Sequence, residues 1–316
     1  MSNQSRIRVE LYEQRYKAQW DKLVRQSKNG VFLFYRDYME YHADRFNDFS
    51  LLFFQDDQLL ALMPANRIDN TVVSHGGLTF GGIVCDALMT TYQMLEIFSV
   101  LIDHLRAQGI KNLIYKPVPR MYHTLPAEED LYALFLSNAR LLRRDVSSVI
   151  VRGQNAPSAE VRQTSLQKSK SLGIEVAQTS DFSEFMSIVA AGLKSRYEVL
   201  PVHTAVEMEL LAGRFPDNIK LFTASRGGKL LAGVVVYENS TVAHSQYIST
   251  TSKGRALGAL DAVFDALLHE IYRDKPCFDF GKSTTGNGRN LNLGLIRNKE
   301  SYGARATVYD FYELDL

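Results

Sequence analysis

One phrase of this sequence occurs twice. The stretch ADRFNDFSLLF begins at Ala43, and AGRFPDNIKLF begins 169 residues later, at Ala212. The identical residue types are Ala43, Arg45, Phe46, Asp48, Leu52 and Phe53 in the first stretch and Ala212, Arg214, Phe215, Asp217, Leu221 and Phe222 in the second. Agreement at so many positions in one register is typical of an internal repeat, so the chain is predicted to contain two copies of one folding unit.

Polar segments interrupt the apolar runs of both copies at matching places. Leu59–Ala61 recurs as Leu230–Ala232, now 171 residues apart, so two residues are expected to be inserted in the intervening turn. The turns QDDQ and SRGGK each lie between apolar runs, which is typical of a β-hairpin. DNTV from Asp69 and ENST from Glu238 form a second polar tip. Both copies are predicted as strand, two helices, three strands, helix and strand.

The length of the chain agrees with this duplication. At about 150 residues per domain, 316 residues predict two domains. The polar stretch RGQNAPS is the expected boundary, so the domains are predicted at 1–152 and 158–316. Apolar positions in the first copy predict a helix over 36–45. They also predict a helix over 91–108 with an inward stripe of Leu95, Phe98, Ile102 and Leu105.

Charge and composition exclude several classes of function. The net charge of +1, without a run of lysine or arginine, gives no general attraction to polyanions, so no nucleic-acid partner is expected. The polar start and the lack of a stretch of about 18 apolar residues predict a cytoplasmic chain without a membrane span. Cys85 and Cys277 lie in apolar surroundings and are expected to be reduced. The histidines are dispersed, so no metal is predicted.

Three stretches of the second copy carry a resemblance to a known family: LLAGVVVYENSTVAHSQYISTT, FDFGKST and LNLGLIRNKESYGA. Together with the order of the elements, they resemble the acyl-CoA N-acyltransferase (GNAT) superfamily, and the duplication resembles its Fem-type branch. In that branch a strand ending in Asp-Phe-Gly precedes a Lys-x-x-aromatic-Gly element, and Lys299, Tyr302 and Gly303 stand at those places. The resemblance implies an α/β protein with a mixed sheet, built from two tandem GNAT-like units.

The resemblance also implies an acyl-CoA, such as acetyl-CoA, as the co-substrate. Its pyrophosphate would lie at the start of the helix that follows the third central strand, where unpaired N–H groups favour anions. The family pattern there is Gln/Arg-x-x-Gly-x-Gly/Ala, and RALGAL supplies Arg255 and Gly258 but has Leu260 where a small residue is usual. Lys253 and Gly254 add a charge and a flexible approach. The alternative is an ordinary start of a helix.

The first copy has a glycine-rich loop, SHGGLTFGG, at the equivalent place. Such glycines allow a ligand or another part of the backbone to approach closely, so Ser74, His75, Gly76 and Gly77 are predicted to bind the acceptor. The alternative is a glycine bulge that only turns the chain. In the second copy, the resemblance places the loop of His203 beside the acceptor cleft. Lys282 lies in a loop at the carboxyl end of a central strand, where open α/β sheets bind ligands.

Three residues are candidates for catalysis. Lys299 would stabilise the oxyanion of acyl transfer or a phosphate, and its alternative is a surface lysine. Asp279 must face away from Phe278 and Phe280, and it would act as a base or anchor the acceptor amine; its alternative is a structural carboxylate. His244 and Tyr247 lie three apart on one predicted strand and therefore on opposite faces, so only one of them is expected to face a cleft. Tyr247 is the predicted site residue.

The sequence therefore predicts an enzyme that transfers an acyl group from acyl-CoA to a small-molecule amine by direct attack. The resemblance implies that the acceptor is an amino sugar or a cell-envelope precursor. Two alternatives stay open. One is a Fem-type peptidyltransferase that uses aminoacyl-tRNA, although no long charged helical arm is present. The other is a non-catalytic module that binds a sugar nucleotide or a protein partner.

Overall fold

The computed structural model describes residues 7–316, with the side chains of residues 196 and 197 left out. The chain forms two compact units. The first contains the described residues up to Asp145 with Gly286–Asn290 and Val308–Leu316, and the second contains Val146–Thr285 and Leu291–Thr307. These ranges differ from 1–152 and 158–316 because the last strand packs with the first unit. The assignment of each unit as a GNAT-like domain at the predicted ranges stays a prediction.

The first unit begins with a strand, as predicted, although Arg6 lies outside the described residues. Its strands are β1 (Ile7–Leu11), β2 (Leu51–Gln55), β3 (Gln58–Met63), β4 (Asn66–Ile68), β5 (Thr71–Val73), β6 (Val84–Cys85), β7 (Asn112–Tyr115) and β8 (Arg140–Val151), which ends in the second unit. Its helices are α1 (Lys17–Gln26), α2 (Arg36–Met39), α3 (Thr91–Ala107) and α4 (Glu129–Leu136). The predicted helix over 36–45 is α-helical only in α2 and continues as the 3₁₀ segment Glu40–Arg45.

Helix α3 shows how local sequence fixes an element of the first unit. Thr90 and Gln93 form a capping box that pairs the first N–H groups of the helix. The fully buried residues of α3 are Met94, Ile97, Phe98, Leu101 and Leu105. Leu95 and Ile102 of the predicted stripe are only partly buried against this core. The helix is therefore rotated relative to the prediction, with its centre line on Ile97 and Leu101.

The second unit contains the remaining elements in chain order. Its helices are α5 (Glu160–Ser171), α6 (Phe182–Tyr197), α7 (Ala205–Arg214), α8 (Ser252–Leu257), α9 (Ala259–Ala266) and α10 (Leu293–Glu300). The strands are β9 (Glu175–Thr179), β10 (Ile219–Arg226), β11 (Lys229–Glu238), β12 (Val242–Thr250), β13 (Cys277–Lys282), β14 (Thr284–Thr285), β15 (Asn290–Leu291), whose first residue belongs to the first unit, and β16 (Arg305–Asp315), which ends in the first unit. A π-helical turn, Leu267–Ile271, extends α9.

The sheet of the second unit changes from antiparallel to parallel pairing at its centre. Strands β9, β10, β11 and β12 pair antiparallel in that order, whereas β12 and β13 are parallel. The β12–β13 pairing begins at Val242 and Cys277 and ends at His244 and Asp279, although β12 continues to Thr250. The two strands therefore separate beyond His244 within the described residues, and this separation forms the centre of the candidate site.

The repeated phrase lies on equivalent strands of the two units. Leu52 on β2 pairs with Glu10 of β1, and Leu221 on β10 pairs with Thr179 of β9, so the same offset of 169 relates both partners. Each strand also pairs antiparallel with the following strand, β3 or β11. This agreement is what a duplication predicts, and a full superposition of the two copies stays a prediction.

The predicted insertion in the turn is wrong. Both hairpins close through two residues, Asp56-Asp57 in the first unit and Gly227-Gly228 in the second. The extra residues instead lengthen the strands, since β2 has five residues and β10 has eight. Extra residues in a strand gain ladder hydrogen bonds, whereas a longer turn would not. Sequence spacing alone could not distinguish these two placements.

Candidate active site

Strand β13 separates an apolar face from a polar one. Phe278 and Phe280 are buried in the core of the second unit beside Phe264. Asp279 lies between them in sequence and therefore points to the opposite face, as the alternation predicted. Its side chain is also completely buried, with a relative exposure of 0%. A buried carboxylate is stable only when its oxygens accept hydrogen bonds, so its partners decide its role.

Three donors surround the carboxylate of Asp279. The Nδ1 atom of His244 lies 2.7 Å from Oδ2, while the hydroxyl of Ser147 and the N–H of Gly281 donate to Oδ1 at 2.6 and 2.9 Å. In the neutral tautomer whose Nδ1–H donates to the carboxylate, the other ring nitrogen of His244, Nε2, carries the lone pair. The relative solvent exposure of the His244 side chain is 15%. Asp279 therefore orients a histidine that has the form of a general base.

A β-bulge overturns the expectation that His244 and Tyr247 face opposite sides. Val236 pairs with Ser245, but the adjacent Val235 pairs with Tyr247, so Gln246 is the extra residue on β12. Neighbouring residues of β11 alternate in direction, and their partners alternate with them. His244 and Tyr247 consequently lie on the same face of β12. The prediction failed because period-2 counting assumes an unbroken ladder.

His203 and Tyr247 form a hydrogen-bonded pair on this face. The hydroxyl of Tyr247 lies 2.7 Å from His203 Nδ1 and accepts from the His203 backbone N–H at 3.1 Å. The direction of the contact with Nδ1 depends on the tautomer of His203, because a phenolic oxygen can both donate and accept. Burial raises the pKa of Tyr247 to about 12, so the hydroxyl is protonated at neutral pH. The pair fixes the connection between α6 and α7 to β12.

Lys299 is neither an exposed cleft lysine nor a surface lysine. Only 4% of the residue is exposed, and its Nζ donates to the carbonyl oxygens of Gly281 and Lys282 at 2.7 and 2.9 Å. Burial lowers the pKa of Lys299 to about 8, and the Asp279 charge opposes that shift. The lysine therefore ties α10 to the end of β13 just after Asp279. Lys282 itself is exposed.

The rest of the Lys-x-x-Tyr-Gly element contributes to packing. The hydroxyl of Tyr302 donates to Asp261 at 2.7 Å, and its ring stacks on Phe280. Gly303 has a φ of 94°, and a Cβ there would lie 2.2 Å from the carbonyl oxygen of Ala156. A side chain at this position would therefore clash with the backbone. This half of the motif holds α10 against the core on the face opposite Asp279.

The predicted phosphate loop is helical. Residues 252–257 form α8, Thr251 caps its first turn, and Gly258 ends it in the left-handed region with a φ of 72°. Lys253 and Arg255 are exposed, whereas Gly254 is buried with its Cα so close to β11 that a Cβ would lie 2.2 Å from the Leu231 carbonyl oxygen. The segment at Gly254, which was expected to be a flexible loop leading to the phosphate site, is thus part of a packed helix. The two cations remain available on its surface.

Helix α5 covers the start of α9. A Cβ on Gly258 would lie 2.6 Å from the carbonyl oxygen of Ser165. In the first turn of α9, the Asp261 carboxylate accepts from Arg162 at 2.9 Å and from the hydroxyl of Ser165 at 2.6 Å. Asp261 and its partners from α5 therefore already occupy the surroundings of this helix start. Replacing Gly258 by aspartate would chiefly disturb the packing of α5 against α9. A loss of donor binding in such a variant would therefore not show where the donor binds.

The glycine-rich loop of the first unit begins with buried residues, whereas its Gly76 and Gly77 are exposed. Ser74 and His75 are buried, and the Ser74 hydroxyl accepts from the Lys116 backbone N–H at 2.7 Å. A Cβ on Gly77 would lie 2.6 Å from the Phe46 ring, and the N–H of Gly76 donates to Asn66 Oδ1 at 2.6 Å. This geometry is that of the alternative considered for these glycines, a turn that brings the backbone close to neighbouring side chains. Their role in acceptor binding stays a prediction.

His75 makes the first unit sensitive to acid. Burial, with the nearby charges of His42 and Lys116, lowers the pKa of His75 to about 3 from an ordinary 6.5. Between these values the unfolded chain binds a proton that the folded chain does not. The unfolding free energy is therefore expected to fall as the pH falls through this window, by at most about 1.4 kcal/mol per pH unit.

The variant His75→Asn isolates this contribution, since asparagine tolerates the positive φ of 56° at this position. Chemical denaturation at several pH values between 3 and 7 should give a shallower loss of unfolding free energy in the variant than in the wild type. Equal slopes in the two proteins would show that His75 is protonated in the folded state over this range.

The second unit brings together four of the predicted residues, Asp279, Lys299, Tyr247 and His203. His244 and Ser147 were missed as site residues. The partners of Asp279 lie 35 and 132 positions away in the chain, so no spacing rule connects them. A signal did exist, since a histidine and an aspartate each stand alone in adjacent apolar strands. Among the described residues, no cluster of metal-ligating side chains is present.

A family model supports an N-acyltransferase domain in the second unit. Residues 160–287 match the family model described as an acetyltransferase (GNAT) domain. The chain therefore contains a GNAT domain in its second unit, as the sequence resemblance predicted. No sequence among the curated proteins matches the chain. No helix in the described part of the chain is both long and apolar enough to span a membrane.

Solved structures show the same fold over nearly the whole chain. A structure of FemX has a TM-score of 0.66 at 9% identity, covering 98% of this chain and 97% of FemX. A tandem GNAT protein from the clavulanic acid biosynthesis pathway has a TM-score of 0.50 at 11% identity, with 98% of each chain covered. The L-PGS of Bacillus licheniformis has a TM-score of 0.56 at 12% identity, with 81% of each chain covered. These similarities establish a Fem-like, tandem GNAT fold.

Proposed function

We propose that the second unit transfers an acyl group from acyl-CoA to a primary amine, with His244 as the general base. The observation that carries this proposal is the pairing of His244 with the buried Asp279 at the point where β12 and β13 separate. The amine of an amino sugar or of a cell-envelope precursor is the proposed acceptor. That acceptor class rests on the resemblance to the Fem-type branch.

The proposed reaction is a direct attack of the amine nitrogen on the thioester carbonyl carbon. Nε2 of His244 takes the proton from the amine as the carbon–nitrogen bond forms, and the carbon–sulfur bond then breaks to release the CoA thiolate. The Asp279 carboxylate stabilises the imidazolium formed in this step. Backbone N–H groups of β12 beyond His244 would hold the carbonyl oxygen, since β13 no longer pairs with that part of the strand.

The exposed cations of α8 are proposed to bind the donor phosphates. Lys253 and Arg255 remain on the surface of α8, whereas the start of α9 already holds the carboxylate of Asp261. The double variant Lys253→Glu/Arg255→Glu is expected to weaken acetyl-CoA binding by about tenfold at low salt, because it reverses two charges facing the phosphates. Arg273→Glu, an equally exposed position, is the control. Isothermal titration that gives the wild-type affinity for the double variant would remove the donor from α8.

A second candidate donor is favoured by the covered start of α9. If α5 excludes a pyrophosphate there, the activated acyl group comes from another carrier, such as aminoacyl-tRNA. The proposed function is tested by incubating the protein with acetyl-CoA and amines and measuring released thiol and acylated product. Transfer of a labelled amino acid from aminoacyl-tRNA, without turnover of acetyl-CoA, would replace the proposed donor. The absence of both reactions would support a binding module.

A further inference from the structure

The connection between α6 and α7 carries an unusual number of exposed apolar side chains. We define the apolar loop as residues Val199–Val202, which contain no charged side chain. Val199, Leu200 and Val202 keep 51%, 73% and 76% of their exposure. Val206 and Leu210, one turn apart on α7, continue the same surface with exposures of 73% and 44%. A cluster of exposed apolar side chains often marks a binding site, and its position in the fold then indicates which ligand binds there.

This loop is fixed to the strand that carries the proposed base. His203 directly follows the apolar loop, is only 5% exposed, and is held by Tyr247 through two hydrogen bonds. Thr204 and Glu207 then form a capping box that fixes the start of α7. The end of the connection next to α7 is thus anchored by folded elements. The apolar side chains lie directly beside this anchored end, which limits the entropy lost when a ligand covers them.

The bulge at Gln246 decides what lies beside the loop. It places Tyr247 on the same face of β12 as His244, so the hydrogen-bonded pair and the proposed base share one face of one strand. The charged residues nearest the apolar loop in sequence are Glu198, at the end of α6, Arg196 just before it, and Glu207, which is engaged in the capping box. Neither a phosphate nor a carboxylate would find a cation on the loop itself.

We infer that the acceptor amine carries an apolar chain and that this chain lies on the apolar loop, Val199–Val202. The inference rests on the proposed function, since it names the chemistry of the acceptor at the same site. The position of the loop favours this ligand. His203 directly follows the loop and is hydrogen-bonded to Tyr247, which lies on the same face of β12 as His244. The amine would reach Nε2 of His244 while its chain covers Leu200 and Val202.

The inference is tested by binding, which needs no turnover. Isothermal titration with n-butylamine, n-hexylamine, n-octylamine and n-decylamine, each below its micelle concentration, gives affinity against chain length. The wild type is expected to bind about two- to fourfold more tightly per methylene group, because each methylene loses contact with water. The double variant Leu200→Ser/Val202→Ser should flatten this dependence. Leu88→Ser, with 79% exposure in the first unit, is the matched control and should keep the wild-type slope.

A further variant tests the hydrogen-bonded pair. Tyr247→Phe keeps every apolar side chain of the loop but loses both hydrogen bonds to His203, so its chain-length dependence should also become shallower. A flat dependence in the wild type, or no binding of decylamine, would overturn the inference. So would decylamine binding only when presented in phosphatidylcholine vesicles, which would make the loop a contact for lipid surfaces. Turnover of a short amine, measured separately, tests the proposed function, so the two can fail independently.

Discussion

Replacing His244 by glutamine is expected to lower kcat by about 10²- to 10⁴-fold, because the amide cannot take a proton from the attacking amine. The thermal midpoint should change little, since glutamine can still donate to the Asp279 carboxylate that His244 contacts at 2.7 Å. The measurement is initial-rate kinetics with the amine and acyl donor that the wild type turns over. The thermal midpoint should be determined on the same preparation.

The matched control for this prediction is His269→Gln. His269 also contacts a carboxylate through Nδ1, that of Asp265 at 2.9 Å, but its side chain is 60% exposed on the extension of α9. Its replacement should leave kcat within about twofold of the wild type, as for most surface substitutions. If His244→Gln retains full turnover, the base is another group, and His244 serves only to satisfy the buried Asp279.

Replacing Lys299 by alanine is expected to lower the unfolding free energy by about 2–4 kcal/mol. The change leaves the carbonyls of Gly281 and Lys282 without their donor and opens a cavity between α10 and β13. Chemical denaturation measures the effect. Lys282→Ala removes an exposed lysine from the adjoining strand end and is expected to change stability by less than about 0.5 kcal/mol.

The pH dependence of the two proteins provides a second measure. The folded pKa of Lys299 is about 8, below its ordinary 10.5, so between these values the unfolded state binds the additional proton. The unfolding free energy of the wild type is therefore expected to rise with pH through this window, relative to Lys299→Ala, by at most about 1.4 kcal/mol per pH unit. An equal pH dependence in both proteins, or an unchanged stability at neutral pH, would contradict the buried geometry.

The predicted effects of Lys299→Ala on stability and on its pH dependence differ from the role that the sequence suggested for this lysine. The sequence suggested that the lysine of the Lys-x-x-Tyr-Gly element stabilises an oxyanion or a phosphate, with a surface lysine as the alternative. Because Lys299 is buried, the first quantity expected to change on its replacement is the unfolding free energy. Any loss of activity in Lys299→Ala must therefore be compared with its loss of folding. His244 instead takes the role of the group whose replacement separates chemistry from stability.

The sequence by itself determined the local and repetitive features of this protein. The repeated phrase, which begins at Ala43 and again at Ala212, predicted the equivalent strands, because the same apolar pattern selects the same pairing in each copy. Capping boxes fixed the starts of α3 and α7, since these interactions span only a few residues. The GNAT domain in the second unit also followed from local motifs and their order.

Only the tertiary structure decided which polar groups meet. The side-chain partners of Asp279, Ser147 and His244, come from β8 and β12, which no spacing connects to β13. A single extra residue at Gln246 turned Tyr247 towards the face of His244. Burial decided the rest. Lys299 and Gly254 have the residue types of ligand sites, but each is enclosed by neighbouring backbone or side chains. Local sequence shows where a chain can bend or carry charge, whereas exposure depends on what packs against it from distant parts of the chain.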